Sequence, residues 1–221
     1  YSMVLGSVER NLMKLVRSYA MIVNGGKKIE ISAIEKIQDR NGNTIYKNDK
    51  LFCLGCRDEF NASNPPVVED RYIRVFNEDV SYQMVNILKG VVQRGTGKKL
   101  KKLKIELAGK TGTTNENLDA WFIGFTPELL IGVFIGFDEP STLGKKETGS
   151  KAALPVFADI MQQLKPNNFV PFFKSTETVK FAKINARTGR KTFSDKNTIN
   201  ESFKLNTIID GYNSDQIMKE Y

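Results

Sequence analysis

Three apolar runs, "IELAGKTGTT", "DAWFIGFTP" and "ELLIGVFIGFDEP", follow one another between Ile105 and Pro140 with only short polar turns between them. Parallel strands need a crossover of a dozen or more residues, so turns this short restrict the segment to antiparallel neighbours. Glycines at 109, 112, 124, 132 and 136 leave room for close backbone approach. The segment therefore predicts a three-stranded antiparallel meander. Its flanks change period. From Glu9 to Val23, Leu12, Leu15, Val16, Tyr19, Ala20 and Val23 recur at helical spacing and stop at Gly25 and Gly26. Asn77 reads as an N-cap with Glu78 and Asp79 in the first turn. Val80, Met84, Ile87, Leu88 and Val91 then predict the buried face of a helix ending near Gly95. After the meander, "AALPVFADIMQQL" returns to helical spacing. The pattern as a whole is α+β, an antiparallel sheet flanked by helices.

The remaining segments read as hairpins and loops. "IEISAIEKIQDRNGNTIYK" alternates around an Asn-Gly pair that supplies the positive φ of a tight turn, predicting two antiparallel strands. Asn48 to Val67, with two cysteines, glycine, asparagines and a Pro-Pro pair, reads as a loop. Beyond Lys165 the composition shifts, which places a boundary near Pro166. Residues 1–165 form the main unit and 166–221 an extension, with a hairpin expected around "NARTGRK".

Composition narrows the classes. At 221 residues, 40% hydrophobic and 26% charged, the chain has enough apolar material for a core, and no run reaches the roughly 18 residues a membrane helix needs. The charge of +8 is concentrated in "KKLKKLK", Lys98 to Lys104, which reads as a solvated loop. It lacks the arginine and aromatic interleaving of a nucleic-acid surface. Cys53 and Cys56 in "LFCLGCRDEF" leave open a local disulfide or two free thiols. A single C-x-x-C in a chain without histidine falls short of a zinc site, and no metal or cofactor is expected.

"LAGKTGTT", Leu107 to Thr114, carries the chemistry. A P-loop would need a glycine where Lys104 stands and a helix after Thr111, and both are lacking. On a strand, Thr111 and Thr113 share a face. Their hydroxyls, with the Lys110 ammonium alongside, make a receptor for a carboxylate, and Gly112 gives an extended ligand room. A backbone N–H on such a strand can also point at a developing oxyanion. A bare K-T-G arises by accident in about one chain of this length in twenty, so the neighbouring residues must decide.

They do. "AGKTGTTNENLDAWFIGFTPELLIGVFIGFDEP" and "ETGSKAALPVFADIM" resemble the C-terminal half of the transpeptidase domain of class A penicillin-binding proteins. "VLGSVERNLMKLVRSYAMIVNGGKKI" is similar to their upstream segment, and "QRGTG", Gln93 to Gly97, to the turn before their K-T-G strand. The resemblance implies a partial serine β-lactamase-like fold and a serine D,D-transpeptidase that binds penicillin. Its partners would be peptidoglycan stem peptides and β-lactams, and it would sit on the periplasmic side of the bacterial inner membrane. It implies catalytic roles for Lys110 and Thr113, with Thr111, Gly112 and Thr113 binding substrate and the Thr113 N–H donating to the oxyanion. Trp121 is assigned to packing.

The family's other two motifs are missing, since no S-x-x-K and no S-x-N occurs. The nearest lookalikes, "TIYK" at Thr44 and "TGSK" at Thr148, lie downstream of where the resemblance requires them. The expectation is a fragment that carries the K-T-G wall, needs the missing N-terminal half of its parent, and is inactive alone. The alternative is a non-catalytic basic module that binds anionic lipid or cell-wall polymer through its lysines.

Overall fold

A computed structural model of the chain describes residues 11–48, 51–56, 65–164 and 173–209. The meander forms as the runs require. Strands β5 (Ala108–Thr113), β6 (Ala120–Phe125) and β7 (Leu130–Ile135) pair antiparallel in the order β5-β6-β7. Thr111 stands opposite Phe122, and Phe122 opposite Val133. Side chains alternate across the sheet, and each face has its own helix.

Helix α1 (Leu12–Val23) covers one face. The ring of its Tyr19 lies 6.4 Å from that of Phe125, and Leu12 and Val16 fill the space over Gly132, where a Cβ would meet Val16 at 2.5 Å. Asn11 caps its start by accepting from the Lys14 N–H at 2.9 Å. At its end Gly26 N–H donates to Met21 O (2.9 Å) and Gly25 N–H to Ile22 O (3.3 Å). Both glycines have positive φ, 80° and 89°, so the predicted stop is a Schellman turn. Helix α3 (Ala153–Leu164) covers the other face through Phe157, whose ring meets Phe122 at 4.9 Å and leaves no space for a side chain at Gly124. Phe122, Phe157, Leu154 and Met161 are at most 2% exposed, and these large side chains form the centre of the core.

Helix α2 (Glu78–Gln93) forms where predicted but is rotated relative to the expected face. Its buried residues are Ser81, Tyr82, Val85, Leu88, Gly90 and Val92, whereas Val80, Met84 and Ile87 are 40%, 42% and 55% exposed. Leu88 alone of the expected set is fully buried. The sequence carries two apolar stripes at helical spacing, and packing against β5 and α1 selects the second. Asn77 holds the N-cap position without a side-chain cap bond. Lys89 of α2 and Glu106 form an ion pair at 15% and 20% side-chain exposure, and Glu106 also accepts from Phe173 N–H at 2.9 Å. Burial holds the Tyr82 hydroxyl above its ordinary pKa, with the Glu106 carboxylate adding to the effect; burial alone does the same to Tyr19.

The hairpin around Asn-Gly is present as β1 (Lys36–Gln38) and β2 (Thr44–Lys47), but every residue of both strands is exposed, so its alternation buries no face. The Asp39 carboxylate organises the turn, accepting from Asn41 and Asn43 N–H and Asn43 Nδ2 at 2.8–2.9 Å, while Gly42 supplies φ 83°. Asn48 to Val67 is not simply a loop. Its described residues include β3 (Leu51–Leu54), paired with β4 (Val67–Asp70), and Cys53 and Cys56 are joined in a disulfide. The lysine run is a 3-10 helix, Lys98–Leu103, held by buried Leu100 beneath exposed lysines. The chain does turn at "NARTGRK", where Ile184 bridges Lys191. The main partner of β8 (Val179–Asn185) is nevertheless β9 (Thr198–Lys204), contributed by residues well beyond the expected hairpin. Residues 166–172 of the "PNNFVPFF" segment lie outside the described set.

Candidate active site

β5 is an edge strand, and its register determines what the edge presents. Thr114 N–H donates to Asp119 O at 3.2 Å. In an antiparallel ladder the N–H and C=O groups of residues two apart point the same way. Gly112, Lys110 and Ala108 therefore bond toward β6, and the N–H groups of Gly109, Thr111 and Thr113 point along the open edge. Two main-chain donors, from Thr111 and Thr113, thus lie on one accessible line beside their own hydroxyls.

Both threonine side chains project from the face they share with Phe122 and Ala120. The Thr111 hydroxyl lies 3.0 Å from that of Thr96, in the turn following α2. The Thr113 hydroxyl accepts from Gly149 N–H at 3.1 Å. Lys110 emerges on the opposite face, and its ammonium curls round the edge to donate to Thr111 O at 2.6 Å. The structure therefore brings Lys110, Thr111 and Thr113 together on one strand edge, with Gly112 between them against Trp121. A Cβ at Gly112 would meet the Trp121 Cβ at 3.1 Å. Trp121 itself packs on Phe134, ring centroids 4.4 Å apart, a packing role rather than an edge position.

The far end of β5 is tightly held. Glu116 and Asn117 are left-handed, φ 59° and 55°, a conformation that persists only where neighbours impose it. Here Thr142 Oγ1 donates to Glu116 O (2.9 Å), Leu143 N–H to Asn117 O (2.9 Å) and Asn117 Nδ2 to Gly144 O (3.2 Å). The same segment brings Gly149 over the β5–β6 pair, where a Cβ would stand 2.4 Å from Trp121 O and 2.5 Å from Gly112 O. Thr96 and Gly149 were not among the residues predicted from sequence. Both approach the motif from distant positions in the chain, and "QRGTG" marked only the turn, not the hydrogen bond.

Gly109, Lys110 and Thr111 lie within a strand rather than at a helix N-terminus, so this is not a nucleotide phosphate loop. Clefts of about 280 and 340 Å³ are lined by residues such as Asn24, Arg71 and Tyr72, and Tyr82, Pro127 and Phe173; neither includes residues 110–113. Among the described residues no helix is long and apolar enough to cross a membrane, and no cluster of side chains suits a metal ion.

The family model of the penicillin-binding protein transpeptidase domain matches residues 2–162. "Penicillin-binding protein 1A" of Rickettsia conorii is 40% identical over 220 residues, covering 98% of this chain and 28% of that protein. The protein of the same name from Neisseria gonorrhoeae is 35% identical over 162 residues, 73% of this chain and 18% of its own length. The chain thus spans a little over a quarter of the first of these relatives. In fold it superposes on crystalline penicillin-binding protein 1A from Haemophilus influenzae with a TM-score of 0.76, at 24% identity, covering 96% of this chain and 34% of that one. PonA1 from Mycobacterium tuberculosis gives 0.59 at 22% identity over 80% of this chain. An open K-T-G edge backed by helices on both faces of the sheet accompanies these matches, and the family model over residues 2–162 shows that the chain, similar in sequence to proteins named penicillin-binding protein 1A, belongs to the penicillin-binding protein transpeptidase domain family.

Proposed function

We propose that this chain forms the K-T-G wall of a serine D,D-transpeptidase that cross-links peptidoglycan stem peptides. The observation that carries the reading is the open edge of β5, with the Thr111 and Thr113 N–H groups, their hydroxyls and the Lys110 ammonium on one line. A stem peptide laid along this edge as an added strand gains main-chain hydrogen bonds. The Thr111 and Thr113 hydroxyls hold its terminal carboxylate, and Lys110 supplies the compensating charge. A serine outside these 221 residues attacks the carbonyl between the two D-alanines. The Thr113 N–H donates to the oxyanion, a bond that strengthens as charge develops and so lowers the barrier. The terminal D-alanine leaves as amine, and an amine of a neighbouring stem peptide then takes the acyl group from the serine. A β-lactam presents the same carboxylate and an acylating carbonyl, and is held by the same groups.

On this reading residues 1–165 are the C-terminal part of the transpeptidase unit and 166–221 an extension. The chain acts on the periplasmic side of the inner membrane, where an oxidising environment suits the Cys53–Cys56 disulfide. Alone it forms no acyl-enzyme. Intact-mass measurement after incubation with a penicillin tests both halves of the proposal. The complete protein should gain one penicillin mass on a serine outside these 221 residues, and the chain alone none. An adduct on the isolated chain would refute the assignment of the nucleophile, and an unmodified complete protein would refute the transpeptidase reading.

A further inference from the structure

Helix α2 carries a polar stripe as well as its apolar ones. Asp79, Gln83, Asn86, Gly90 and Arg94 recur at three- and four-residue spacing, hence on one face. That face meets β9. Lys204 Nζ lies 3.3 Å from Asp79 Oδ2, Gln83 Nε2 donates to Ser202 O at 3.1 Å, and Asn86 Nδ2 donates to Glu201 Oε1 at 2.5 Å. Arg94 Nη2 reaches Glu201 Oε2 at 3.5 Å. Gly90 makes this last contact possible, because a Cβ there would stand 2.7 Å from the Arg94 guanidinium and lift it from Glu201.

The chain then turns sharply. Gly95 N–H donates to Gly90 O and Val91 O, and Gly97 N–H to Val91 O at 2.9 Å, so Thr96 is fixed between two bonded glycines. Its hydroxyl meets that of Thr111 at 3.0 Å. Glu201 thus holds Arg94, the hydrogen-bonded turn over residues 94–97 carries Thr96, and Thr96 meets Thr111.

We infer that Thr96 is a positioning residue for Thr111, held in place by the β8–β9 hairpin through Glu201 and Arg94. The inference rests on the transpeptidase reading above. A hydroxyl donates one proton. If Thr96 donates to the Thr111 oxygen, the Thr111 proton is directed to the substrate carboxylate, and each bond polarises the next. The C-terminal hairpin then sets how well the K-T-G edge recognises an anion.

The test uses the complete protein and compares acylation by a penicillin with acylation by its methyl ester. Thr96→Val should slow acylation by the free acid about 2- to 13-fold, the span of one neutral hydrogen bond, and leave the ester nearly unaffected. Thr96→Ser should restore the rate. Glu201→Gln should slow the acid less, and should add nothing to Thr96→Val in the double variant if the two act in series. Wild-type rates in Thr96→Val, equal losses on acid and ester, or no rescue by serine would overturn the role of Thr96. Additive losses in the double variant would overturn the role of the hairpin. A wild-type protein that neither substrate acylates would instead refute the transpeptidase reading beneath both.

Discussion

Gly149→Ala is the sharpest test of how the end of the K-T-G strand is held. The backbone at Gly149 is outside the left-handed region, so alanine is conformationally acceptable and the penalty is steric. The new Cβ would stand 2.4 Å from Trp121 O and 2.5 Å from Gly112 O. Ordinary contact begins at about 3.5 Å, so the 148–150 loop must withdraw by about 1 Å. Both obstructing atoms belong to a paired ladder and cannot rotate aside as a side chain would. Overpacking of this kind costs about 1–3 kcal/mol. Withdrawal also breaks the Gly149 N–H bond to Thr113 Oγ1, now 3.1 Å, for about 0.5–1.5 kcal/mol more. The combined cost of about 1.5–4.5 kcal/mol corresponds to a fall in melting temperature of roughly 3–18 °C for a unit of this size. Thermal melting followed by circular dichroism, with penicillin acylation measured on the same samples of the complete protein, gives both readouts. Acylation should fall as well, because Thr113 loses the contact that orients its hydroxyl. A variant that melts within about 1 °C of wild type and acylates at the wild-type rate would show that the loop does not hold the strand.

Other perturbations probe separate parts of the structure. Thr113→Val should slow acylation by a carboxylate-bearing β-lactam at least tenfold, about the low end for a hydrogen bond to a charged group, while Thr113→Ser retains most of the rate; unchanged kinetics in the valine variant would remove Thr113 from carboxylate binding. Glu106→Gln strands the Lys89 ammonium at 15% exposure and should destabilise by about 3–5 kcal/mol in chemical denaturation, with Lys89→Met in the same chain recovering most of the loss; an equal loss in the double variant would contradict that account. Asp39 has its pKa lowered, first by the Asn43 side chain and then by backbone N–H groups. A depressed folded-state pKa means that its support for the β1–β2 turn is complete above the ordinary carboxylate range and is lost as pH falls through the lowered value. NMR shifts of Asn41 and Asn43 amides should therefore move together in acid, and Asp39→Asn should abolish that transition.

The parts legible from sequence alone were those set by neighbours close along the chain. Short turns between apolar runs left β5, β6 and β7 no arrangement but an antiparallel meander, and Gly25 and Gly26 ended α1 because few other residues accept their φ. The position of Lys110, Thr111 and Thr113 on a strand followed from the same local pattern. What tertiary structure decided was which of several locally equivalent options found a partner. Helix α2 has an apolar stripe at Val80, Met84 and Ile87 and another at Tyr82, Val85 and Leu88; nothing in their spacing ranks them, and contact with β5 and α1 buries the second. Turn signals lie between β3 and β4 and between β8 and β9, but they mark only where the chain can turn; which strands pair across them is set in the folded structure. Thr96 and Gly149 reach the K-T-G strand from 15 and 36 residues away. Periodicity records which residues share a face of one element, whereas a hydrogen bond across the fold depends on how elements dock, and that is resolved only when the core packs.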